Sequence, residues 1–198
     1  MAGLLLAAGG GRRYGMPKAL VRHGQRLLVE HGVATLREGG CSPVVVILGA
    51  AAAEVRRTAD LGDAWVVDNA AWEEGMGSSL RLGLATLART DALAVVVLLV
   101  DTPKVTAQAV ARLAALASPD VLATATYHGR RGHPVLLGRH HWDGVAASAV
   151  GDRGARAYLG ARHVVTVACE DVGDGVTDWD HPPGDRDRSP GVRFRQGP

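Results

Sequence analysis

The chain has 198 residues, of which 47% are hydrophobic, 21% charged and only 4% aromatic, and its formal net charge at pH 7 is +2. That is enough for one domain with a proper core. The few aromatics and the absence of a basic block exclude a binder that stacks exposed bases and make nucleic acid an unsuitable partner. No run approaches a membrane span. The apolar start is short, lacks a basic leader and carries a glycine loop, unlike a signal peptide. Cys41 and Cys169 are far apart, as expected of a reduced, cytoplasmic chain rather than a disulfide scaffold.

Leu4 to Ala8 is apolar without interruption and predicts a strand buried on both faces. It runs into Gly9-Gly10-Gly11 and then into Arg12, Arg13 and Lys18. A buried strand that ends in glycines offers bare backbone N–H groups. Such donors with fixed cations suit a polyphosphate. Two common phosphate fingerprints do not fit. Gly10 and Gly15 have P-loop spacing, but Met16 and Pro17 stand where Lys and Ser or Thr belong. A G-x-G-x-x-G run begun at Gly9 fails at Tyr14. Pro17 argues against an immediate long helix, so the loop is expected to wrap its ligand.

Residues 19–22 read as extended, His23-Gly24 as a turn, and 25–38 as a helix closed by Gly39-Gly40. A strand over 43–48, a helix over 51–59 and a strand over 64–68 follow. This β-α-β-α-β order predicts parallel strands with helical crossovers. Residues 69–77 form a loop with Trp72, and a helix over 79–88 has Ser78 as its natural N-cap. Gly75 and Gly77 beside that helix start bring backbone close to a partner at its positive end. Residues 94–100 are the most hydrophobic run and predict a central strand, with Asp101 at its carboxyl end. Open α/β sheets gather ligands at that edge. A carboxylate beside a phosphate loop calls for a cation, and Mg²⁺ fits; the simpler role is to cap the turn before a helix over 106–117.

Residues 121–127 and 133–137 read as strands joined by a turn over 128–132, a break from the parallel pattern. His133 is a candidate to face a substrate. The adjacent His140 and His141 are not a zinc pair. Asp152 is expected to cap a short helix, and 163–168 is the last strand. Asp178 and Asp180 share one side of an extended chain, so one of them could complete a metal site with Asp101. Residues 1–182 are expected to form one domain, and the Pro-, Gly-, Arg- and Asp-rich stretch 183–198 a disordered tail.

Together these pieces resemble the MobA/MocA-like nucleotidyltransferases, and within them the molybdenum cofactor cytidylyltransferase branch. Leu6-Ala7-Ala8-Gly9, followed by Arg13-Tyr14-Gly15-Met16-Pro17-Lys18, is similar to the family's L-A-A-G and R-x-G-x-x-K. Its G-M-G-S-S-L-R appears as residues 75–81, preceded by Asn69 and Trp72, its G-H-P-V as 132–135, and its G-D-x-G-A-R as 151–156. The chain departs from the family at Thr102 and Lys104, where relatives read L-G-D-Q-P-L-V, and after Asp180; these departures leave the acceptor open.

The resemblance implies an α/β fold, three-layer and Rossmann-like, with a mostly parallel twisted sheet and helices on both faces, as in nucleotide-diphospho-sugar transferases. It implies transfer of NMP from an NTP, CTP or GTP, to a phosphorylated acceptor such as a pterin cofactor, with a molybdenum hydroxylase as a further partner. Leu6, Ala7, Ala8, Gly9, Gly10 and Gly11 would bind the nucleotide, the backbone of Ala8 to Gly11 cradling its triphosphate. Arg13 would neutralise the leaving pyrophosphate and Lys18 the α-phosphate. Asp101 and Asp180 would hold Mg²⁺. Gly75, Gly77, Ser78 and Ser79 would contact the nucleoside, and Arg81, His133 and Arg156 the acceptor. Ala8, where a glycine is the alternative, leans towards CTP. The family also holds a proposed nicotine blue oxidoreductase, so an oxidoreductase using a dinucleotide in the same cleft and a non-catalytic cofactor chaperone stand as rival readings.

Overall fold

The computed structural model describes residues 1–177; Asp178, Asp180 and the stretch 183–198 lie outside the described residues. Strand β1 (Ala2–Ala7) is buried along its whole length. A small ribbon, β2 (Arg22–His23) and β3 (Arg26–Leu27), follows, then α1 (Leu28–Glu38), β4 (Val44–Leu48), α2 (Ala52–Thr58) and β5 (Trp65–Asp68). Next come α3 (Met76–Leu87), β6 (Ala94–Leu99), α4 (Ala107–Ala114), and the hairpin β7 (Leu122–Tyr127) and β8 (Arg130–Gly138). The described chain closes with α5 (Trp142–Ser148), α6 (Arg156–Gly160) and β9 (Val165–Ala168).

Seven strands form one sheet in the order β5-β4-β1-β6-β8-β7-β9. β1 runs parallel to β4 and β6, β4 to β5, and β7 to β9. β8 runs antiparallel to both β6 and β7, which is the expected break in the pattern. Because side chains alternate along a strand, Leu5, Val46 and Leu98 pack under α1 and α4 through Leu28, Val33, Leu36, Val110 and Leu113. Leu4, Ile47 and Val97 pack on the other face against Leu80, Leu84 and Leu87 of α3 and Trp142 of α5. The result is the three-layer, mostly parallel, nucleotide-diphospho-sugar transferase-like fold that the sequence led us to expect.

Both central helices approach β1 through a glycine. A Cβ at Gly32 would sit 2.8 Å from Leu5 Cδ1, and one at Gly83 would sit 2.5 Å from Leu4 Cδ1. Gly83→Ala is therefore expected to lower stability by about 1–3 kcal/mol through overpacking, despite alanine's better helix propensity. A urea denaturation midpoint measures this.

Local differences from the sequence reading have identifiable causes. α1 begins at Leu28, not residue 25, because Arg26 and Leu27 pair with Arg22 and His23. Its start is marked by Glu30, whose Oε2 accepts the Leu27 N–H at 2.7 Å. α3 begins at Met76, so Ser78 lies inside its first turn and is not its N-cap. The β7–β8 turn is only His128-Gly129, both at positive φ (51° and 75°), as a tight two-residue hairpin demands. Arg130 and Arg131 therefore belong to β8.

Candidate active site

The glycine loop leaves the carboxyl end of β1 and folds back on itself. Gly15 N–H donates to Gly11 O at 2.8 Å, and Gly11 stands at φ 64°. A Cβ at Gly11 would collide with the carbonyl oxygen of Met16. Among the described residues, the N–H groups of Gly9, Gly10 and Gly11 donate to no other group. These glycines line a cavity of about 750 Å³ together with Trp72 to Met76 and the residues at the end of β6. Trp72 lies across the loop, with its ring 3.2 Å from where a Gly10 Cβ would stand. No helix follows at once: residues 18–20 make a single 3₁₀ turn and α1 starts at Leu28.

Asp101 follows β6 on the same sheet edge. Its Oδ2 accepts from Lys18 Nζ at 2.8 Å, and the two side chains are only 21% and 13% exposed. Asp101 Oδ1 is buried and, among the described residues, has no hydrogen-bond partner. A buried carboxylate oxygen without a partner is costly unless something completes it. A hard divalent cation that keeps phosphate oxygens in its shell fits that donor. Asp101 does not cap the next helix; Thr106 does, its Oγ1 accepting Ala109 N–H at 3.3 Å.

A second cavity, about 550 Å³, adjoins the first. Its rim carries Arg130, Arg131, Arg153 and Arg156, its floor is apolar, and His133 lies in its wall. His133 Nδ1 is buried and without a partner among the described residues. Burial, joined by the nearby Arg156 charge, holds the imidazole below the usual histidine range, although the Val97 backbone and Asp101 pull the other way. The unfolded chain takes up a proton here near 6.5, and the folded chain only at lower pH. Stability is therefore full above the ordinary value and falls as pH drops through it towards the lowered folded value. Urea midpoints at pH 7.5 and 5.5 should differ more for the wild type than for His133→Asn.

The sequence-predicted residues divide clearly. Ala8, Gly9, Gly10, Gly11, Arg13, Lys18, Gly75, Ser79 and Asp101 line the first cavity, His133 the second, and Leu6 and Arg156 both. Ala7, Gly77, Ser78 and Arg81 line neither. Ala7 points into the opposite face of the sheet. Ser78 Oγ donates towards Ala71 O and Gly75 O, both 2.9 Å away, and accepts from Asn69 Nδ2 at 2.8 Å. Arg81 donates to Ala149 O at 2.5 Å and pairs with Glu74 at 3.0 Å. Asp152 does not cap its own short helix; its Oδ1 accepts Met76 N–H, at 3.3 Å, across 76 residues of sequence. Thr102 Oγ1 donates to Leu99 O at 2.9 Å, and Lys104 lies 3.8 Å from Asp174. Thr102 thus serves the framework, Lys104 faces Asp174 at the surface, and the departure after Asp180 lies outside the described residues. Arg12, Trp72 and Arg153 line the cavities although the sequence reading gave them no site role; for Arg153, the neighbouring Asp152 and Arg156 of one motif were the available signal.

Residues 3–167 match the family profile of the MobA-like NTP transferase domain. Over 185 residues the chain is 37% identical to nicotine blue oxidoreductase of Paenarthrobacter nicotinovorans, covering 88% of this chain and 90% of that protein. Its fold is similar to that of Rv0371c from Mycobacterium tuberculosis H37Rv, with a TM-score of 0.76, 28% identity, and coverage of 90% and 93% of the two chains. A structure of Rv0371C in complex with manganese is also similar, with a TM-score of 0.70, 26% identity, and coverage of 84% and 86%. No helix among the described residues is long and apolar enough to cross a membrane. With the glycine loop, Lys18 and Asp101 gathered at one sheet edge, the chain belongs to the MobA-like NTP transferase family.

Proposed function

We propose that the protein is a Mg²⁺-dependent cytoplasmic nucleotidyltransferase that moves NMP from an NTP, CTP in preference to GTP, to a phosphorylated acceptor of the pterin-cofactor type, releasing pyrophosphate. The observation that carries this reading is the Lys18–Asp101 pair at 2.8 Å beside the glycine loop, with the buried Asp101 Oδ1 without a hydrogen-bond partner among the described residues. The backbone donors of Gly9–Gly11 bind the triphosphate, Arg13 draws charge towards the leaving pyrophosphate, and Lys18 holds the α-phosphate. Mg²⁺ on Asp101, with Asp180 as the second ligand of the proposal, would neutralise the phosphate oxygens between the substrates. No general base is needed where the nucleophile is an ionised phosphate. The rim arginines of the second cavity suit an anionic acceptor. A product of this kind would pass to a molybdenum hydroxylase.

The test is pyrophosphate release from CTP, GTP or ATP with Mg²⁺ and a phosphorylated pterin acceptor, beside a thermal-shift panel that includes NADPH. Release with CTP, and a CTP shift that needs Mg²⁺, is the expected result; preference for GTP would make it a guanylyltransferase. The 37% identical relative named as an oxidoreductase favours one rival, a dinucleotide enzyme. A shift with NADPH and none with any NTP would establish that rival. NTP binding without turnover would leave a cofactor-carrying chaperone.

A further inference from the structure

Two motifs that read as ligand contacts also meet in a joint. A Cβ at Gly75 would stand 2.6 Å from Gly151 C, and one at Gly77 would stand 2.6 Å from Ala149 O. Glycine is needed at both positions because the backbone of residues 149–151 lies directly against the start of α3. Asp152 caps that start through Met76 N–H, and Arg81 ties Ala149 O from the next turn. The joint fixes the approach to α6, whose first residue is Arg156. Leu6, Met76, Leu99, Asp152 and Arg156 line both cavities. Among the described residues, Arg156 is the one cationic side chain common to the two walls.

We infer that Arg156 is a catalytic residue that touches both substrates at once, holding the α-phosphate of the nucleotidyl group as that group is transferred from the nucleotide in the first cavity to the acceptor in the second. This rests on the transferase reading above. In that step an acceptor phosphate oxygen forms a bond to the α-phosphorus. The bond from that phosphorus to the bridging oxygen breaks, and its electron pair leaves with pyrophosphate. No proton moves. A guanidinium is suited to this because its fork of donors can face oxygens of two groups together. Arg13 belongs to the first cavity alone and Arg153 to the second alone. They are the natural controls.

The experiment is calorimetric titration of the wild type, Arg13→Ala, Arg153→Ala, Arg156→Ala and Arg156→Lys. Each receives Mg²⁺ with whichever of CTP or GTP shifts the wild type, and the saturated complex then receives phenyl phosphate as the acceptor probe. Arg156→Ala is expected to weaken both ligands about tenfold or more, as loss of a charge-assisted hydrogen bond does. Arg13→Ala should weaken only the nucleotide, Arg153→Ala only phenyl phosphate, and Arg156→Lys should lose less than Arg156→Ala on both. The Arg156 side chain is exposed, so its variants should melt with the wild type. An Arg156→Ala protein that loses one ligand only, or neither, overturns the inference while the transferase reading stands. So does a wild-type complex that takes no phenyl phosphate. A wild type that binds no NTP overturns both.

Discussion

Asp101→Asn will lower pyrophosphate release about a thousandfold, the scale seen when one preorganised electrostatic group is lost, and the protein will remain folded. Asparagine keeps the shape of the side chain but removes the charge that Lys18 meets at 2.8 Å. It also places an amide where the buried Oδ1 or its twin would hold a cation, and a neutral amide is a poor substitute for a carboxylate in an Mg²⁺ shell. Both partners are mostly shielded, so loss of the ion pair should cost roughly 2 kcal/mol of stability, below the 3–5 kcal/mol of a fully buried broken pair. Lys18→Ala should cause a similar loss of turnover. If the two residues serve one phosphate cluster, the double variant will be little worse than either single one, because groups that act as a unit are not additive. Initial rates of pyrophosphate release for the four proteins, with urea midpoints alongside, decide this. Unchanged turnover in either single variant would remove that residue from the chemistry, and full additivity would show that the two act independently rather than as one cluster.

The lineage of that pair in the sequence shows what could be read and what could not. Lys18 and Asp101 are 83 residues apart, yet both follow runs with no polar interruption. Strands buried on both faces leave that signature, and the strand-end rule then brought the two residues to one edge. The same logic located β1, β4 and β6 to within a residue or two. It failed where a local pattern depended on a distant partner. Ser78 looked like an N-cap because serine before an apolar helical run usually is one. The helix actually starts at Met76 because its cap, Asp152, comes from another motif. Arg81 carried the same chemistry as an acceptor-binding arginine, but it is committed to Ala149 and Glu74. Arg130 and Arg131 read as a turn because glycines flank them; the positive φ of His128 and Gly129 tightened that turn and moved both arginines onto β8 and the second cavity. Sequence periodicity reports burial well, and reports side-chain commitments across the fold poorly.

Gly11→Ala is the sharper test of the loop itself. Gly11 has φ 64°, where an alanine is strained by about 1 kcal/mol or more. Its new methyl would also collide with the carbonyl oxygen of Met16, a backbone atom that cannot step aside as a side chain can. The turn must open, which breaks the 2.8 Å bond from Gly15 N–H to Gly11 O. Opening it shifts the donors of Gly9–Gly11 and moves Arg13 and Lys18 relative to Asp101. Affinity for Mg²⁺-NTP should fall about a hundredfold, since several charge-assisted hydrogen bonds weaken together, and stability should fall by roughly 2 kcal/mol. Gly9→Ala is the internal comparison. Gly9 is exposed, its φ is not positive, and no heavy atom lies within 4 Å of the Cβ position. Its melting temperature should match the wild type, so any loss of nucleotide affinity there reports a methyl intruding on the bound phosphates rather than a refolded loop. Titration of both variants with Mg²⁺-CTP and Mg²⁺-GTP separates the effects. Wild-type affinity in Gly11→Ala, despite its lowered stability, would show that the triphosphate is held elsewhere.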